Sequence, residues 1–354
     1  MSDKLKQIRD RIDVLDARLV ELLSMRARLA QRIGKLKAGD VYRPEREAQV
    51  LRRALAANRG PLSDSALARL FTEIMSACRA LEDAMTVAYL GPEGTFSQEA
   101  AVKHFGGLTV MRPCASIDEV FRQVETGATG YSVVPVENTT EGAVGRTLDL
   151  LLSTSAKICG EVMLPVRQCV MGKARGLRDV RIVYSHTQSL AQCQQWLARH
   201  LPHAERVPVV SNAEAARVAA RRRNAAAIGS KTAAALYGLK MLARNVEDEP
   251  KNTTRFLVLA RHDAAPSGKD KTSLIMSARN VPGAIHELLT PLAEHQVSMT
   301  KLESRPSRAG LWEYVFYVDV EGHQQDANVA RALAEVERKA SFLKNLGSYP
   351  AAVT

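Results

Sequence analysis

Aromatic residues are scarce, at 5% of 354, and only 2 are Trp. No apolar run approaches the roughly 20 residues that a membrane span needs. The start Met1-Ser2-Asp3-Lys4-Leu5 lacks the apolar core of an export signal, so a cytoplasmic location is expected. Cysteines are few and scattered: Cys78, Cys114, Cys159, Cys169 and Cys193 are odd in number and form no Cys-x-x-Cys pair. That excludes a closed disulfide framework and a zinc ribbon, leaving reduced thiols and no metal site. No Gly-x-Gly-x-x-Gly turn is present, which excludes a dinucleotide-binding unit of that kind; no cofactor is expected. Helix-turn-helix, finger and aromatic-plus-glycine RNA motifs are also missing, so the formal charge of +11 does not argue for nucleic acid. The excess of positive charge lies before residue 263 and is interspersed with acids, apart from Arg221-Arg222-Arg223. Small anionic ligands explain it more economically.

A chain of this length divides into two or three domains. Over residues 1–85, Leu5, Ile8, Ile12, Leu15, Leu19, Leu22, Leu29, Ile33 and Leu36 step by three and four, the seam of one long helix. Arg26 interrupts that seam, where a charge is costly unless an anion meets it. Lys37 lies eleven residues on, on nearly the same face and about 16 Å along the axis. Two cations on one inner face suit a dianion. Arg9 is about 25 Å from Arg26 on the same rise, so it could join such a site only from a second chain, which points to an intertwined dimer. Pro44 opens a second helix, and Ser63 or Asp64 caps a third whose inner stripe is Phe71, Met75, Cys78 and Glu82.

The array Arg9, Arg26, Lys37, Arg46-Glu47 and Cys78-Arg-Ala-Leu-Glu82 resembles the all-helical chorismate mutase domain. The resemblance implies a pericyclic rearrangement of chorismate to prephenate, in which the protein folds a dianion and stabilises charge on the breaking ether oxygen. It implies that Arg26 and the partner's Arg9 hold carboxylates, that Lys37 and a protonated Glu82 face the ether oxygen, and that Glu47 meets the substrate hydroxyl. Arg46 and Cys78 would support them. Some relatives carry glutamine at the Glu82 position and an aspartate where this chain has Arg43.

Over residues 86–262, strand and helix patterns alternate in two runs, as in two α/β lobes around a cleft. Strands are expected at Val87 to Leu90, Tyr131 to Val136, Arg181 to Tyr184, Val207 to Val210, Ala226 to Gly229 and Arg255 to Leu259, with capping boxes at Ser116-x-x-Glu119 and Ser211-x-x-Glu214. Polar loops at strand ends should face the cleft. They are Gly91-Pro92-Glu93-Gly94-Thr95-Phe96-Ser97, the Glu137-Asn138 stretch, and Tyr184-Ser185-His186 continuing to Gln192. His186 reads as structural. In Thr253-Thr254-Arg255-Phe256 the strand period puts Thr254 and Arg255 on opposite faces. Together these stretches resemble prephenate dehydratase. The resemblance implies loss of carbon dioxide and hydroxide from prephenate to give phenylpyruvate, with Thr254 donating to the leaving hydroxyl. Thr95, Ser97, Glu137, Asn138, Ser185, Gln192 and Arg255 would place the substrate.

Residues 263–271 read as a polar linker, and 272–354 follow a ferredoxin-like βαββαβ order. Pro282-Gly283-Ala284-Ile285 and Glu303-Ser304-Arg305-Pro306 resemble the ACT regulatory domain. That implies phenylalanine binding at a dimer interface and feedback inhibition, with His286 replacing an aliphatic residue. The expectation is a multidomain chain: an all-α mutase unit, a two-lobed α/β unit like periplasmic binding proteins, and an α+β regulatory unit. Its ligands would be chorismate, prephenate and phenylalanine, and its partner a second copy of itself, as a dimer or higher oligomer, without nucleic acid or membrane. The competing reading is a non-catalytic two-lobed receptor with a sensory tail.

Overall fold

The computed structural model describes residues 2–36, 41–279, 281–306 and 314–353. Three helices come first: α1 (Ser2–Leu36), α2 (Pro44–Ala56) and α3 (Asp64–Arg79). Pro44 sits in the first turn of α2, where its missing N–H costs nothing. Ser63 caps α3, its hydroxyl accepting from Ala66 N at 3.3 Å. Helix α3 buries Ala68, Met75 and Cys78 and meets both other helices. Helix α1 leaves its apolar seam bare; Leu5, Ile8, Ile12, Leu15, Leu19, Leu22 and Leu29 are each about half exposed.

The middle unit has two sheets. Its first lobe contains β1 (Thr86–Leu90), α4 (Phe96–Phe105), β2 (Val110–Cys114), α5 (Ile117–Glu125), β3 (Tyr131–Asn138), β4 (Gly142–Ala143), α6 (Gly145–Ser153) and β5 (Lys157–Pro165). The second contains β6 (Cys169–Gly172), β7 (Ile182–Ser185), α7 (Thr187–Gln192), α8 (Gln194–His200), β8 (Glu205–Pro208), α9 (Asn212–Ala219), β9 (Ala225–Gly229), α10 (Lys231–Leu236) and β10 (Lys240–Arg244). The chain then returns through β11 (Thr253–Ala260) to the first sheet, whose order is β2-β1-β3-β11-β5; the second sheet runs β10-β6-β9-β7-β8. Strands β1, β2 and β3 are parallel, while β11 runs antiparallel between β3 and β5. Apolar clusters cover both faces of each sheet. The expected boxes form: Ser116 accepts from Glu119 N at 3.2 Å and Ser211 from Glu214 N at 3.0 Å.

The last unit is β12 (Asp270–Ser277), α11 (Ala284–Glu294), β13 (Met299–Pro306), β14 (Tyr314–Glu321), α12 (Ala327–Lys339) and β15 (Phe342–Pro350), an antiparallel sheet in the order β13-β14-β12-β15. Residues 307–313, between β13 and β14, lie outside the described residues. Both helices cover one face of this sheet. Its other face packs on the first lobe, with Ile275, Tyr317, Leu346 and Tyr349 sharing a core with Leu148, Ile158 and Leu257. A Cβ at Gly347, where φ is 134°, would lie 2.4 Å from the Ile158 carbonyl oxygen, so only glycine allows this approach. The stretch read as a linker is pinned: His323 bonds Ala264 O at 3.1 Å, and Arg52 of α2 donates to Ser267 O at 3.1 Å and Lys269 O at 2.7 Å.

Candidate active sites

Between the lobes lies a cleft of about 440 Å³, lined on one side by Thr95, Phe96, Ser97, Asn138 and Thr254 and on the other by Gln168, His186, Ser189, Gln192 and Asn212. The N-terminal ends of α4, α7 and α9 border it, capped by Thr95, His186 and Ser211. None of the described lining residues is Lys or Arg, so the free backbone donors and the dipoles of these helix ends supply the positive field. The lobes touch across the mouth, where Ser230 donates to Gly94 O at 3.0 Å and Gln192 to Glu141 Oε1 at 3.3 Å.

Thr254 is 9% exposed and turned to the cleft. Asn138 Nδ2 donates to its Oγ1 at 2.8 Å and to Asn252 Oδ1 at 2.7 Å, while Asn138 Oδ1 accepts from Thr140 N at 2.9 Å and Glu141 N at 3.2 Å. These bonds fix which way the Asn138 amide points. Since Thr254 Oγ1 accepts from Asn138, its own hydrogen is free to be donated into the cleft, and the accepted bond makes it a stronger donor.

The strand alternation expected at Thr254-Arg255 holds, and it moves other residues away from the cleft. Arg255, read as a substrate contact, is buried on the far face of β11. It is bonded to Glu161 Oε2 at 2.8 Å, to Asp319, and to Tyr349 OH at 2.9 Å. Burial opposes its charge, but Tyr349, Asp319 and Glu161 outweigh burial and hold the guanidinium more firmly protonated than usual. Glu137 likewise faces the last unit, accepting from Lys301 Nζ at 2.7 Å. Ser185 is fully buried beneath the cleft, bonded to Asn212 Oδ1 at 2.9 Å and Ile228 O at 3.0 Å. It positions Asn212, which in turn donates to Ser189 Oγ at 2.8 Å. Sequence reasoning missed Gln168 and Asn212, and it gave no role to Ser189 within the loop expected at the cleft. The only signal for Asn212 was its place directly after a capping serine.

In the helical unit, Arg26 Nη1 donates to Cys78 Sγ at 2.8 Å. Glu82 lies along α1, since a Cβ at Gly34 would meet its Cγ at 3.0 Å. Cys78 and Glu82 thus both lie along α1, the first at Arg26 and the second at Gly34. Lys37 lies outside the described residues. Arg9 and Arg46 are exposed, and Glu47 is paired with Arg79, which also donates to the Phe105 carbonyl at the end of α4. Burial raises the Glu47 carboxyl, with Arg79 and Arg26 opposing. Arg79 was not singled out from the sequence.

In the last unit Gly283 takes a left-handed φ of 81° before α11, and Ala284 opens that helix. Ile285 is exposed. Glu303, Ser304, Arg305 and Pro306 end β13, which is the sheet's edge, and Arg305 reaches Asp149 of α6 at 3.1 Å. Among the described residues no group of His, Cys, Asp or Glu is arranged to hold a metal ion, and no helix is long and apolar enough to cross a membrane.

Three family descriptions match the chain in order: chorismate mutase type II over residues 8–83, prephenate dehydratase over 87–264 and ACT domain over 272–338. A Neisseria gonorrhoeae protein named bifunctional chorismate mutase/prephenate dehydratase is 54% identical over 349 residues, 98% of this chain and 96% of that one. A protein of the same name from Stutzerimonas stutzeri is 50% identical over 361 residues, covering 99% of each. Among solved structures, the prephenate dehydratase of Arthrobacter aurescens in complex with L-Phe aligns with a TM-score of 0.70 at 32% identity, covering 75% of this chain and 90% of that one.

Proposed function

The chain belongs to the bifunctional chorismate mutase/prephenate dehydratase family, and from that premise we infer how its sites divide the work. It is an enzyme of phenylalanine biosynthesis with both activities. The helical unit rearranges chorismate to prephenate, and the two-lobed unit converts prephenate to phenylpyruvate, carbon dioxide and water.

In the second reaction, prephenate lies in the cleft with its carboxylates toward the helix ends after Thr95 and His186. Thr254 donates its proton to the departing hydroxyl as the ring carboxylate leaves as carbon dioxide, the hydroxyl departs as water, solvent returns a proton to Thr254, and aromatisation drives the step. Asn138 sets the direction of that donation; Thr95, Ser97 and Gln192 place the substrate. The observation that carries this reading is the Asn138–Thr254 bond at the cleft floor.

In the first reaction no bond to the protein forms. Arg26 and the Arg9 of a second copy hold the carboxylates, while Lys37 and a protonated Glu82 meet the ether oxygen. Glu47, held by Arg79, accepts from the substrate hydroxyl; Arg46 and Cys78 support the set. The bare seam of α1 supports a dimer built on that helix. Glu82→Gln, which keeps a donor, should retain mutase turnover while Glu82→Ala loses it; equal turnover in the two would remove Glu82 from this role.

Phenylalanine, the pathway product, is held at the edge of β13 by Gly283 to Ile285 and Glu303 to Pro306, between two copies, and inhibits the dehydratase. The functional units are residues 1–85, 86–262 and 272–354, and the enzyme works in the cytoplasm. One assay tests the whole: purified protein given chorismate alone should release phenylpyruvate, and millimolar phenylalanine should slow it. Failure to consume chorismate would favour a receptor instead.

A further inference from the structure

Two residues that the sequence had assigned to substrate, Glu137 and Arg255, stand back to back with the site they were meant to line. Thr254 pairs with Asn138 across β11 and β3, and the next rung pairs Arg255 with Glu137. Successive side chains alternate faces, so the first rung faces the cleft and the second faces the regulatory sheet. There Lys301 of β13 donates to Glu137 at 2.7 Å, and Asp319 of β14 accepts from Arg255. Lys301 and Asp319 are themselves register partners. Two rungs, one from each unit, therefore close into a square of alternating charge directly behind the Asn138–Thr254 bond.

We propose that this square, Glu137 and Arg255 against Lys301 and Asp319, is the connection through which phenylalanine on β13 slows the dehydratase. The proposal rests on the reading that phenylalanine binds along Glu303 to Pro306. On β13, Lys301, Glu303 and Arg305 alternate in burial with their exposed neighbours, so all three side chains point toward the catalytic unit. A ligand that shifts Glu303 and Arg305 shifts Lys301 with them, and Lys301 pulls on Glu137. Arg255 cannot follow, because Glu161 and Tyr349 hold it as well. The pairing register between β11 and β3 slips immediately after Arg255, which gives the strand pair a place to absorb the distortion. Glu137 moves relative to Arg255, Asn138 moves with Glu137, and the 2.8 Å bond that aims Thr254 is lost.

The test uses the full-length enzyme with Lys301→Met, Lys301→Arg and Asp319→Asn. Dehydratase turnover is measured with and without phenylalanine, and phenylalanine binding by calorimetry without substrate. We expect the wild type to bind and be inhibited. Lys301→Met should still bind phenylalanine while its half-inhibiting concentration rises about tenfold or more, and Lys301→Arg should restore the inhibition. Asp319→Asn should behave like Lys301→Met. Inhibition of both neutral variants at wild-type concentrations overturns the square. A wild type that binds no phenylalanine overturns the effector reading instead, and the calorimetric arm separates the two. Glu137→Gln should lower kcat and leave KM for prephenate unchanged; a raised KM with kcat kept would return Glu137 to the substrate and sink the proposal.

Discussion

The two catalytic regions of this chain are built in opposite ways. The dehydratase cleft is lined from one chain: its proposed donor, Thr254, is buried, aimed by an asparagine whose every polar atom is engaged, and backed by a strand that closes the sheet from the other side. The mutase region, on the reading proposed above, is half a site. Arg9 and Arg26 stand far apart on one long helix whose apolar seam is uncovered. On that reading one region is fixed by burial and the other by association. The same substitution strategy should therefore give different signatures at the two places.

The largest effect is expected inside the cleft. Thr254→Ala should lower dehydratase kcat by roughly 10²- to 10⁴-fold, the range for loss of a positioned proton donor, while chorismate is still consumed at the wild-type rate. A stopped assay that counts prephenate and phenylpyruvate separately reads both activities at once. Near-native phenylpyruvate formation would return Thr254 to an ordinary core position.

Next comes the seam. Leu15→Asp with Leu19→Asp puts charges on the bare stripe and should separate two copies joined there. Mutase turnover should fall on the order of 10²-fold or more, the cost of removing one charge-stabilising donor, here the partner's Arg9. Dehydratase turnover at low phenylalanine should hold, because no residue of its cleft lies before residue 90. Light scattering would confirm the separation. Loss of both activities together would show that the contrast between the regions is false.

How much of this could be read from the sequence follows the same division. The seam was legible because a 3.5-residue period and a misplaced arginine are patterns along one strip of chain. The caps at Ser116 and Ser211, the βαββαβ order and the opposed faces of Thr254 and Arg255 were local in the same sense. What was missed was non-local. Strand β5 carries Gly160 and the buried Glu161 amid its apolar residues, β6 is four residues long, and β10 is half exposed, so none shows a clean alternation. Arg79 and Ser185 act through partners dozens of residues away, at Glu47 and Asn212 respectively. Glu137 and Arg255 were assigned to the substrate by resemblance, together with Asn138 and Thr254. The strand period that the reading itself invoked sends them to the other side.

The smallest expected effect concerns the place where the two regions meet. Tyr42, just before α2, is hydrogen bonded to His104 near the end of α4 at 2.6 Å, beside a cavity of about 80 Å³ lined also by Glu47, Lys103, Cys159 and Glu161. Burial, with Arg79 and Lys103 adding to it, pushes His104 down to about 3 from the ordinary 6.5. The unfolded chain therefore takes up a proton below about pH 6.5 that the folded chain refuses. Stability from this residue is fully present above pH 6.5 and is lost as pH falls toward 3, by up to about 1.4 kcal/mol per pH unit. Urea midpoints at pH 7.5 and pH 5 should differ less in His104→Asn than in the wild type. The α-helical unit should be the part released first, because the Tyr42–His104 bond joins it to the first lobe: mutase activity should fade in mild urea at pH 5 while phenylpyruvate still forms from added prephenate. Equal pH slopes in wild type and variant would show that His104 is not what ties the shared site to the self-contained one.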